Sequence, residues 1–98
     1  MSEAVATPIV SADDIKDLSL NQIASLIRKT WVNKKGPAVY FGAVPYLQAL
    51  GQLGNASENY GADSGQSIAT YFLSNATTYR GEQAKIVKTE LKRRFAIK

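Results

Sequence analysis

The sequence predicts an all-α domain, a compact bundle or orthogonal array of three to four helices. Three observations lead there. Apolar side chains recur at helical spacing in several separate stretches. Helix-starting residues stand just before those stretches and glycine-containing breaks just after them. The 98 residues, 45% hydrophobic and 20% charged, suit one ordinary globular core rather than two.

Residues 1–10 are mostly small side chains punctuated by Pro8 and read as a flexible N-terminal arm; residues 11–98 read as a single helical domain. Ser11, followed by Asp13 and Asp14, starts a short helical turn that runs to Lys16 or Asp17. Ser19 with Gln22 three residues on has the form of a capping box. Behind it Leu20, Ile23, Ala24, Ile27 and Trp31 fall at i, i+3, i+4, i+7 and i+11, one stripe of an amphipathic helix ending near Val32 or Asn33. Lys34 and Lys35 then precede the Gly36-Pro37 turn.

Residues 37–53 are rich in apolar side chains. Over 38–41, Val39, Tyr40 and Phe41 suit a strand, while a helical turn is equally compatible, and the pattern leaves helix and extended chain open. Pro45 suits the first turn of a helix in which Tyr46, Leu47, Leu50 and Leu53 keep helical spacing until Gly54 and Asn55 stop it. Asp63, with Gln66 three residues on, is the expected N-cap of a third helix. Its stripe is Ile68, Phe72, Ala76 and Tyr79, and its end falls between Asn75 and Tyr79. Arg80-Gly81 breaks the chain before a last helix from Glu82 to about Phe95, with Ala84, Val87, Leu91 and Phe95 on one side and Ile86 widening the face.

Composition removes several function classes. With no cysteine there are no disulfides, thiolate nucleophiles or Cys-type zinc sites. With no histidine, the usual neutral-pH general base and the commonest transition-metal ligand are missing. Asp13 and Asp17 stand at i, i+4, but a dedicated calcium loop needs more oxygen ligands; helix N-terminal charge is the better reading. No metal or cofactor is expected. No stretch approaches the ~20 apolar residues of a membrane span, and the first ten residues lack the form of a secretory signal, so a cytoplasmic location is expected.

Charge is distributed unevenly around a net +4. Residues 21–36 carry Arg28, Lys29, Lys34 and Lys35 and no acid; residues 80–98 carry seven cations against Glu82 and Glu90. Lys85, Lys88 and Lys92 fall at i, i+3 and i+7 on one ridge, with Arg93 beside it. Such a ridge suits a phosphate backbone, with Lys34 and Lys35 contributing; it also suits plain complementation of the helix dipole. Among the aromatics, Trp31 and Phe72 belong to the core, whereas Tyr60 and Tyr71 are surface candidates. Tyr79 and Arg80, beside Ser74, Asn75 and Thr77, form a hydrogen-bonding cluster suited to a ligand, an interface or a structural tie.

The expectation is a small non-enzymatic binding or accessory module whose basic C-terminal helix contacts nucleic acid or another polyanion. The alternative is a protein–protein or homo-oligomeric module using the apolar 37–53 segment, part of which a domain this small would leave exposed. A cofactor-free enzyme built on Asp63, Tyr60 and Arg80 is the remotest reading, because no residue pair has pKa-tuning spacing.

Overall fold

The computed structural model describes residues 9–33, 35–55 and 57–97. Four helices dominate: α1 (Leu20–Thr30), α2 (Val44–Gln52), α3 (Gly65–Ser74) and α4 (Glu82–Arg94). Short 3-10 turns at Asp14–Asp17 and Phe41–Ala43 lead into α1 and α2.

The fold is mostly helical, but all-α needs correction. Strand β1 (Val32–Asn33) pairs antiparallel with β2 (Gly36–Pro37), and β3 (Asn59–Tyr60) with β4 (Asp63–Ser64). Each ladder is two residues long and bonds the backbone of an interhelical connection that would otherwise lack partners. Glycines at positive φ, Gly36 at 122° and Gly61 at 63°, shape the reversals. A two-residue ladder has no periodicity to detect, so the hydrophobic pattern does not announce it.

Helix α1 starts as its sequence dictates. Ser19 Oγ accepts from the Gln22 N–H at 3.1 Å and Gln22 Oε1 accepts from the Ser19 N–H at 2.8 Å. It ends earlier than expected, at Thr30, because Trp31 leaves helical geometry (φ −86°, ψ 85°) and the β1–β2 turn begins. The open question over 38–41 resolves as non-regular chain followed by the 3-10 turn. Helix α2 carries Pro45 in its first turn. Helix α3 starts at Gly65, one residue later than expected, so its cap is Ser64, whose Oγ accepts from the Ser67 N–H at 3.1 Å, and not Asp63. It stops at Ser74, where Asn75 turns its Nδ2 back onto the Tyr71 carbonyl at 2.9 Å.

Hydrogen bonds and close approaches between helix ends fix the arrangement. Asn21 Nδ2 donates to the Gly51 carbonyl, joining the start of α1 to the end of α2. Gly42, before α2, lies against Asn75, after α3. Gln66 Nε2 donates to the Phe95 carbonyl, joining the start of α3 to the end of α4. Thr30, ending α1, is bonded to Tyr79, which precedes α4. Consecutive helices thus run up and down in a closed cycle. The ends of α1 and α3 and the starts of α2 and α4 gather at one pole, here called the upper pole.

The core lies between the four helices. Trp31 stacks on Tyr79 (centroids 5.3 Å apart) and meets Phe72 edge-on at 6.2 Å. Ile23, Ile27, Leu47, Leu50, Val87 and Leu91 fill the rest. Most of the expected 1–10 arm falls outside the described residues. At Val10 the chain is already tied: its N–H donates to Gln83 Oε1 at 2.8 Å and its carbonyl accepts from Gln83 Nε2 at 3.1 Å. The following residues lie along α4 to its far end, where Arg94 Nη2 donates to the carbonyls of Ile15 and Lys16.

Candidate polyanion-binding site

The turn from Arg80 into α4 depends on Gly81, whose φ of 110° and ψ of −179° lie in a region essentially restricted to glycine. Having no side chain, Gly81 cannot cap, and no side chain substitutes; the first intrahelical bond runs from the Lys85 N–H to the Gly81 carbonyl. The opening amides of this 13-residue helix therefore have no side-chain cap at the positive end of its dipole.

Beside them is an open recess of about 510 Å³ lined by Tyr79, Arg80, Glu82, Lys85 and Lys88 among others. Arg80 Nε donates to the Thr77 carbonyl at 3.2 Å, which steadies its stem. Lys88 Nζ donates to the Tyr79 carbonyl at 2.6 Å and stands 5.8 Å from the Tyr79 ring centroid. Burial pushes the Lys88 ammonium down from its ordinary pKa, and the neighbouring charges of Arg80 and Lys92 push the same way. Three cations thus converge on an uncapped helix start, opposed by the carboxylate of Glu82.

The other expected site residues divide. Lys35 is exposed in the β1–β2 turn, its N–H held by Asn33 Oδ1; Lys34 lies outside the described residues. That turn follows Trp31 directly, so it belongs to the upper pole with Arg80. Lys85 and Lys92 are exposed. Lys88 does not share their open ridge, because its ammonium turns inward to a backbone carbonyl. Arg93 is paired with buried Glu90 at 2.9 and 2.8 Å, near the opposite end of α4.

Tyr79 is in the core, 1% exposed, and acts as a structural tie. The Thr30 hydroxyl donates to the Leu26 carbonyl, which leaves Tyr79 Oη to donate to Thr30 Oγ1 at 2.7 Å. Burial, the main cause, pushes the Tyr79 phenol pKa up. Tyr71 is on the surface as expected, its ring 5.5 Å from that of Tyr46. Tyr60 has its backbone paired with Asp63; its side chain lies outside the described residues.

Two features went unread in the sequence. One is the open helix start at Gly81, signalled only by the absence of a capping side chain between Arg80 and Glu82. The other is the Glu90 clamp, which the i+3 and i+4 spacing of Arg93 and Arg94 could have revealed. Among the described residues no group of three or more acidic side chains is placed to hold a metal, and no helix is long and apolar enough to cross a membrane. No family of known proteins, no curated protein and no solved structure matches the chain.

Proposed function

We propose that this chain is a small binding module of the cytoplasm, without chemistry of its own, that holds a polyanion, the phosphate backbone of a nucleic acid. The convergence of Arg80, Lys85 and Lys88 on the uncapped start of α4 carries this reading. Uncapped amides with cations beside them suit a phosphate, and an anion there offsets the repulsion from Arg80 and Lys92 that adds to burial in lowering the Lys88 pKa. Lys92 extends the site along α4, and Lys35 stands in the β1–β2 turn at the same pole. Arg93 contributes least, because it is tied to Glu90 near the opposite end of α4 from the recess.

Fluorescence anisotropy of a labelled oligonucleotide, titrated across salt concentrations, tests the proposal. Arg80→Ala and Lys85→Ala are each expected to weaken binding and to lower the salt slope by about one. Glu82→Gln is expected to tighten it, and Arg93→Ala to leave it nearly unchanged. Absence of binding even at low salt, or equal loss from Arg93→Ala and Arg80→Ala, overturns the reading.

A second reading rests on a different observation. Phe41 is 79% exposed, with Tyr40 and Val44 also open, so part of the apolar 37–53 segment is left uncovered. A surface of this kind suits a protein partner or a second copy of the chain. Light scattering at two protein concentrations tests the self-associating form.

A further inference from the structure

We infer that the upper pole carries an aromatic platform that stacks unpaired bases, so that the module prefers single-stranded over duplex nucleic acid. This deepens the polyanion reading and rests on it. The platform has two joined parts. Tyr40 and Phe41, 45% and 79% exposed, have ring centroids 4.9 Å apart. Tyr71, 51% exposed, packs on Tyr46. Gly42 joins them: the Tyr40 ring and the Asn75 side chain both crowd the space a Cβ at Gly42 would take, and Asn75 is bonded to the Tyr71 carbonyl.

The platform and the cationic recess occupy the same pole. Asn75 lies beside Gly42, and Arg80 follows it by five residues, so the Asn75 and Arg80 Cα atoms are within about 18 Å of each other. That separation is within the reach of a short oligonucleotide, whose sites on such proteins span roughly 4–16 nucleotides.

Charge selects the occupant. Residues 28–46 and 71–82, which build the platform and its surroundings, contain five cations and one acidic residue, Glu82. Two copies meeting through this pole would place like charge against like, which disfavours a self-complementary contact. A polyanion meets no such repulsion. Within a duplex the base faces are already stacked on one another, so exposed rings find partners only on an unpaired strand.

The test is anisotropy with a labelled single-stranded DNA of about 12 nucleotides and with its duplex. The intact chain is expected to favour the single strand. Phe41→Ala is expected to weaken single-strand binding on the order of tenfold and to leave duplex binding unchanged. Gly42→Ala is a second, indirect variant: a Cβ there would fall 2.6 Å from Tyr40 Cε2, so the ring must swing aside, again with loss confined to the single strand.

Equal binding of both forms, insensitive to Phe41→Ala, overturns this inference and leaves the polyanion reading standing. No binding of either form overturns both. Phe41-dependent binding of a poly-glutamate peptide tighter than that of the single strand overturns it in favour of an acidic protein partner. Concentration-dependent dimerisation abolished by Phe41→Ala overturns it in favour of a second copy.

Discussion

Single residues hold this molecule at points where the surrounding contacts offer no alternative. At Gly81 an added Cβ would meet nothing within 4 Å, yet its φ lies where L side chains rarely go. Gly81→Ala is therefore expected to destabilise the fold by about 1–3 kcal/mol through backbone strain alone, read as a shift in the urea midpoint without a change in slope. Ala96 presents the reverse case. It takes φ 54° after α4, where Ile97 N–H bonds the Lys92 carbonyl and Ala96 N–H the Arg93 carbonyl, an arrangement that usually employs glycine. Ala96→Gly is expected to stabilise by about 0.5–1 kcal/mol, because relief of left-handed strain exceeds the added unfolded-state entropy. Glu90 sets a pH dependence. Its bond to Arg93 holds the carboxyl below its ordinary pKa, with Arg94 adding to the effect and burial opposing it. The unfolded chain takes up that proton first, so the contribution is complete above the ordinary carboxylate pKa and is lost as pH falls through the lower folded value. Glu90→Gln is expected to cost about 1–3 kcal/mol near neutrality, with the difference from wild type closing in acid, as denaturation at a series of pH values will show.

Among the elements, what the sequence made legible follows from how local each cause is. The Ser19–Gln22 capping box and the Leu20–Ile27 stripe carry their own instructions, and α1 begins where they say. Ser19→Ala is expected to cost about 1 kcal/mol or more in thermal melts, and Ser64→Ala somewhat less, since Ser64 has no reciprocal partner in a capping box. Helix ends were less readable. Trp31 keeps the helical register of its stripe but leaves the helix, because its indole is drawn between Phe72 and Tyr79, residues more than forty positions away. Asp63 was the expected cap of α3, but the helix starts one residue later, at Gly65, so Ser64 stands at the N-cap and its hydroxyl accepts from the Ser67 N–H. The candidate site divides in the same way. Arg80 and Lys85 were visible as charges, whereas the inward turn of Lys88 depends on the Tyr79 carbonyl, whose position only the assembled core determines.

Across the whole molecule, the closed up-and-down cycle decides which distant residues share a surface. Lys35 and Arg80 are far apart in the chain but share the upper pole, because Thr30 is bonded to Tyr79. Their effects on oligonucleotide affinity should therefore both appear: Lys35→Ala and Arg80→Ala together are expected to lower the salt slope by about two, with thermal stability nearly unchanged. The same cycle sends the connection carrying Glu58 and Asp63, and the turn carrying Asp14 and Asp17, to the other extremity, where with Glu90 they offset Lys92, Arg93 and Arg94 at the end of α4. A body so polarised has a preferred attitude toward any charged plane. Near a sulfonated bead or an anionic film it should land end-on, cationic tip downward, so that elution from such a matrix responds to Lys35 and Arg80 more steeply than the overall charge of the chain would suggest.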